Sequence, residues 1–144
     1  MTEISFHFNV PDRALYACRL LRKATRRRAR IAVTGDPATL AVLDRQLWEF
    51  DPVEFIPHLR VSHGQPVTAR LRATPVWLVE APTGEDGHEV LVNLGAEPPV
   101  GFESYAKLIE IVSTSDAERE AARSRWRHYA KRGYPIARHE VVET

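Results

Sequence analysis

An alternation of strand-like and helix-like segments fills the first fifty residues, and it constrains the fold more than any other feature of this chain. Ile4-Ser5-Phe6-His7-Phe8 alternates apolar and polar side chains over a strand's length. Pro11-Asp12 offers a turn and a helix start, after which Ala14, Leu15, Cys18 and Leu21 recur at spacings of three and four. Arg13, Arg19, Arg22 and Lys23 then fall on the wet side of that helix. Residues 29–34 are a short, mostly apolar run of the kind found in buried parallel strands. Asp36-Pro37 sets a capping carboxylate ahead of a proline at the first helical position, and Leu40, Leu43, Leu47 and Trp48 follow. Strand, helix, strand, helix in this order predicts an α/β fold whose sheet is mainly parallel, flanked by helices and built by right-handed crossovers.

Periodicity weakens between Asp51 and Pro75, where prolines at 52, 57, 66 and 75 and Gly64 suggest turns or a long surface connection. Residues 76–79 and 89–94 read as two strands separated by a turn-rich stretch at 82–87, either as a hairpin or as a sheet edge. Residues 107–112 are a further apolar run; Ser115-Asp116 starts a charged helix that runs to about Arg132, Gly133 ends it, and 134–142 reads as a last strand. With no internal repeat, linker or low-complexity segment, the reading is a single domain over residues 1–144.

Composition excludes several function classes. No apolar run approaches the roughly 20 residues that cross a bilayer, and the N-terminus lacks the basic and apolar regions of a signal peptide, so a cytoplasmic protein without membrane contact is expected. Cys18 is the lone cysteine, cannot form an internal disulfide, and sits where a helix face would bury it. The net charge of +1 gives no strong overall field for nucleic acid, so any basic function is local, in Arg26-Arg27-Arg28-Ala29-Arg30 or in the stretch 119–132. No strand is followed by a GxGxxG or GxxxxGK[ST] fingerprint, and Asp36 would repel a phosphate at Gly35-Asp36-Pro37. His58 and His63 lack an identifiable third ligand, and no HExxH pair exists. Asp44, Glu49, Asp51 and Glu54 fit wet helix ends, and no GxSxG turn occurs. The expectation is a binding module with no catalytic residues, cofactor or metal.

Two segments carry aromatics in unusual company. Residues 43–58 gather Trp48, Phe50 and Phe55 where a helix gives way to a proline-shaped turn; Trp48 and Phe55 either cap the core or anchor a partner protein. Residues 116–134 place acidic side chains first and basic ones last, as the helix dipole favours. Within them Arg123, Trp126 and Arg127 stand at i, i+3 and i+4 and project from one face, unless Trp126 turns inward. A ring edged by two guanidinium groups suits a ligand that is apolar and anionic together, such as a peptide's C-terminus, and it also suits bases and phosphates of single-stranded nucleic acid.

These segments carry a resemblance. The wording LDxxLWxFxPxxFIPH in residues 43–58, residues 123–134, and EVLVNLGAEPPVGFESYAKLIEIV in residues 89–112 are similar to the chi subunit family of bacterial DNA polymerase III. The resemblance implies a Rossmann-like fold without nucleotide binding and a non-catalytic place in the clamp-loader part of the replicase. It implies binding of the acidic, aromatic C-terminal tail of single-stranded DNA-binding protein, with DNA contact indirect. Carried over, Val112 and Trp126 form an apolar wall, Arg123 and Arg127 hold carboxylates, and Tyr129 or Lys131 stands at the rim. Trp48, Phe55 and His58 resemble the surface that meets the small psi subunit, for which a helicase-like protein is a possible competitor. Neither reading assigns a role to Arg26 through Arg30, which stay a solvated edge. A direct single-strand binder, and an enzyme whose groups converge from distant segments, are the alternatives from other classes.

Overall fold

A computed structural model describes residues 1–51, 53–62, 65–82 and 87–142. Pro52, His63, Gly64 and residues 83–86, which hold most of the turn foreseen at 82–87, lie outside the described residues. Strands β1 (Glu3–Val10), β2 (Ile31–Thr34), β3 (His58–Val61), β4 (Val76–Val79), β5 (Val90–Asn93), β6 (Lys107–Ser113) and β7 (Ile136–Glu140) form one sheet in the order β3-β4-β2-β5-β6-β1-β7. Every pairing in it is parallel. Helices α1 (Arg13–Arg26), α2 (Pro37–Glu49) and α3 (Asp116–Lys131) flank the sheet.

Connection direction decides which face each helix covers. The steps from β1 to β2 and from β2 to β3 both move toward the β3 edge, so right-handed crossovers set α1 and α2 on the same face; β6 to β7 runs the other way and sets α3 opposite. The core divides accordingly. Leu21, Leu40 and Leu43 pack with Val33, Leu78, Val92 and Ile111 on one face, and Ala122 and Tyr129 pack with Ile4, Phe6, Leu91 and Leu108 on the other. In β1 a register irregularity with Asn9 at φ 64° moves Val10 into the α1 side, a conformation asparagine tolerates better than most residues.

Each helix starts where its cap predicts. Asp12 accepts from the Leu15 amide at 3.1 Å, Asp36 from the Thr39 amide at 2.8 Å with Pro37 behind it, and Ser115 from the Glu118 amide. Two expectations change. Residues 76–79 and 90–93 form neither a hairpin nor an edge: both are buried interior strands, parallel, with β2 between them. The stretch read as turns contains an edge strand, β3, too short at four residues to show a period of two. Among the described residues no helix is long and apolar enough to cross a membrane.

Candidate functional site

Helix α3 owes its placement to a buried ion pair. Ala122, Arg125 and Tyr129 form its buried face, at i, i+3 and i+7. Glu110 of β6 is completely buried beneath them, and its Oε1 lies 3.0 Å from Arg125 Nε. Tyr129 donates to Oε2 at 2.6 Å, Asn93 of β5 donates to Oε1 at 3.0 Å, and Arg125 also donates to the Ala96 carbonyl at 3.0 Å. Burial pushes the Glu110 carboxyl up, against the pull of Arg125, Tyr129 and Asn93, while burial and Glu110 push the Tyr129 hydroxyl up. A carboxylate with this many donors fixes the rotation of α3 about its axis, and with it the directions of the residues on either side of Arg125.

Those neighbours build a cleft. Trp126 is half-buried with its ring 5.0 Å from that of Phe6 and 6.2 Å from that of Phe8, and the Arg138 guanidinium of β7 lies 4.5 Å over the Phe8 ring. Phe8, Arg119, Arg123, Trp126, Arg127 and Arg138 line a space of about 310 Å³. Arg123 pairs with Glu120 at 3.0 Å and Arg138 with Glu140 at 3.7 Å, both exposed contacts, whereas among the described residues no carboxylate pairs with Arg119 or Arg127. Two rings ringed by four guanidinium groups can take an aromatic or aliphatic side chain and a carboxylate at once.

Of the residues singled out in the sequence, Arg123, Trp126 and Arg127 meet here. Val112 does not line this cleft: it is buried at the end of β6 and lines a neighbouring cavity of about 260 Å³ with Arg13, Ala121 and Arg125, along the other flank of α3. Tyr129 is turned into the core by its bond to Glu110 and so leaves the rim, and Lys131 is exposed outside the cleft. Sequence reasoning missed Arg119, Phe8 and Arg138. Arg119 was within reach, one helical turn before Arg123; Phe8 and Arg138 come together only through the pairing of β1 with β7, in which Phe6 stands opposite Arg138.

The second aromatic group is of a different kind. Trp48 is 62 % exposed and Phe55 51 % exposed, their rings stacked at 4.9 Å and 30°. His58 stands edge-on to Trp48 at 5.1 Å with its side chain buried beneath the rings. Its Nδ1 donates to the Ile56 carbonyl at 2.7 Å, and its Nε2 lies 3.0 Å from Asp44 Oδ1 without the alignment of a hydrogen bond. Asp51 caps the turn by accepting from the Val53 and Glu54 amides, and Arg22 and Arg26 of α1 pair with Asp51 and Glu54. Arg26 and Arg30 are therefore tied: Arg26 holds the aromatic turn, and Arg30 donates to the Arg72 carbonyl.

Elsewhere the chemistry is sparse. The crevice beyond the carboxyl ends of β2 and β5, where Rossmann-like sheets hold nucleotides, carries Asp36, Glu80 and Glu97 with Pro98 and Pro99, and Asp36 occupies the start of α2. These carboxylates oppose a phosphate. Burial pushes the Cys18 thiol up to about 11, away from thiolate chemistry at neutral pH. Among the described residues no three His, Cys, Asp or Glu side chains converge as a metal site.

An all-parallel α/β sheet flanked by helices defines the class: a Rossmann-like α/β protein, with its cation-rimmed aromatic cleft between α3 and the β1–β7 edge rather than in the nucleotide crevice. The family model described as DNA polymerase III chi subunit, HolC, matches residues 1–137, and the chain belongs to that family. It is 31 % identical to the DNA polymerase III subunit chi of Pseudomonas aeruginosa, over 98 % of each chain. It is 26 % identical to the subunit of the same name from Haemophilus influenzae, over 87 % of this chain and 85 % of the relative. Membership supports an accessory role in DNA replication. A crystal structure of the C-terminal part of the Fun30 ATPase domain superposes with a TM-score of 0.54 at 13 % identity, covering 76 % of this chain and 43 % of that one, a likeness of fold alone.

Proposed function

We propose that this chain is a non-catalytic adaptor that binds the C-terminal tail of single-stranded DNA-binding protein in the α3 cleft and joins the polymerase III clamp-loader complex, through the psi subunit, by its Trp48 face. The observation that carries the reading is the company of the neighbouring Trp126 and Phe8 rings with Arg119 and Arg127, which no carboxylate of the described chain neutralises. Arg123 and Arg127 hold the tail's carboxylates, Trp126 and Phe8 receive its apolar side chain, and Arg119 and Arg138 add charge at the ends. Val112 supports this arrangement from beneath, as part of the same buried cluster against which Trp126 packs. Trp48, Phe55 and His58 form a ring patch whose flanking charges are paired among themselves, Arg22 with Asp51 and Arg26 with Glu54, suited to a protein contact.

Calorimetric titration with the tail peptide of the accompanying single-stranded DNA-binding protein, with the same peptide lacking its last residue, and with Arg123→Ala tests the assignment. Micromolar binding that both changes weaken severalfold is the expected result. Equal heats in all three, or saturable binding of a naked oligonucleotide in place of the peptide, would overturn it.

A further inference from the structure

The cleft adjoins an open sheet edge, and the backbone of that edge is arranged to receive a strand. β7 is the last strand of the sheet, with no described strand beyond it. The Ile4 amide donates to the Pro135 carbonyl at 3.1 Å and the Val141 amide to the Phe8 carbonyl at 3.0 Å. In a parallel ladder the residues facing the neighbouring strand alternate, so 135, 137, 139 and 141 turn their backbone groups toward β1. Ile136, Arg138 and Glu140 then turn their amides and carbonyls outward, where no described strand pairs with them.

Arg138 belongs to both features: its side chain covers Phe8 in the cleft and its backbone lies at the middle of the open edge. At about 310 Å³ the cleft is at the small end of ligand pockets, with room for the terminal side chains and carboxylate of a tail but not for the chain leading to them. A chain that leaves the cleft past Arg138 meets the outward amides of β7. Edge strands are usually blunted by brevity and charge. β7 is five residues long and carries Arg138, His139 and Glu140, yet the charge shared with the cleft is positive and favours an acidic segment.

Resting on the tail-binding reading above, we infer that the stretch preceding the tail's terminal residues adds to β7 as an eighth strand, its backbone pairing with Ile136, Arg138 and Glu140. Affinity then comes from two parts: side-chain and carboxylate recognition in the cleft, and sequence-tolerant main-chain pairing along the edge.

The test compares a short peptide carrying only the last residues of the single-stranded DNA-binding protein tail with one extended by about six residues, enough to span β7. A few added main-chain hydrogen bonds, net of ordering, correspond to about a tenfold tighter complex. Two further long peptides, N-methylated on one or the other alternating set of amides in the extension, probe the period of two. The expected result is a gain that one methylation pattern removes and the other leaves, with slowed hydrogen exchange at the Arg138 and Glu140 amides only in the long complex. If short and long peptides bind equally and those two amides exchange as in the free protein, the edge pairing is overturned while the cleft stands. If neither peptide binds, the cleft reading fails and takes this inference with it.

Discussion

Two tryptophans stand on two helices of this protein, and their surroundings could hardly differ more. Trp126 on α3 lies over Phe6 and Phe8 with arginines on every side, and the helix beneath it is locked by the Glu110–Arg125 pair. Trp48 on α2 lies largely in solvent against Phe55 and His58, and the buried face of its helix is apolar, made of Leu40, Leu43 and Leu47. A ring's neighbours therefore decide its use. Guanidinium groups around one give it the chemistry to meet an anion, while the other presents a mostly exposed ring stack whose neighbouring charges are paired among themselves.

The difference in anchoring is open to the most forceful test. Arg125→Ala leaves a buried carboxylate without its cation, and a loss of about 3–5 kcal/mol in urea denaturation is expected. A paired Glu110→Gln with Arg125→Met, which removes both charges, should recover much of it; a single-variant loss under about 1 kcal/mol would mean that apolar packing holds α3 as it holds α2. Next in size is Trp126→Ala, expected to weaken tail binding by about 2 kcal/mol or more while leaving association through the Trp48 face intact. Equal weakening of both contacts by that change would erase the distinction between the two surfaces.

Removing one cleft cation should do less. Arg127→Ala is expected to lower tail affinity by roughly 1 kcal/mol and to flatten its salt dependence, read by calorimetry at several ionic strengths. Trp48→Ala is expected to change folding stability by less than about 1 kcal/mol, because the ring is mostly exposed, and to leave tail binding unchanged while weakening capture of the partner subunit.

Acid should separate the faces without any mutation. Burial, and to a lesser degree His139 and Lys107, lowers His7 to about 4 from 6.5. The unfolded chain then takes up a proton there before the folded one does, so stability is full above about pH 6.5 and falls as pH drops toward 4. His7 contacts Tyr16 and His139 across the face opposite the cleft, and guanidinium groups keep their charge throughout this range. Tail affinity of the folded protein should stay flat from pH 7 to 6, while His7→Gln flattens the stability curve between about pH 6.5 and 4, measured by thermal unfolding in buffers that span that lower range.

Much of the fold was legible because its signals are local. Caps at Asp12, Asp36 and Ser115 work over three residues, and the apolar faces of α1 and α2 repeat within each helix. The order of segments implied a parallel sheet for the same reason, since a crossover helix leaves few other ways to pair. On α3, spacing alone aligned Arg123, Trp126 and Arg127, which the structure joins in one cleft. At 76–79 and 90–93 the strands themselves were legible but their interior, parallel placement was not, because a four-residue apolar run says nothing about its neighbours.

What the sequence determined by itself was thus the class of fold, the start of every helix and the family, each written in contiguous residues or ordered motifs. What only the tertiary structure decided was the company those residues keep. Phe8 and Arg138 are separated by most of the chain and meet because β6 to β7 crosses over β1, and Val112 stands outside the cleft because β6 lies on the far side of β1 from β7, which sets its side chain along the other flank of α3. Glu110 gave no sign of its burial, since a carboxylate enters a core only where donors from elsewhere in the chain, here Asn93 of β5 and Arg125 and Tyr129 of α3, converge on it, and that convergence exists only after folding.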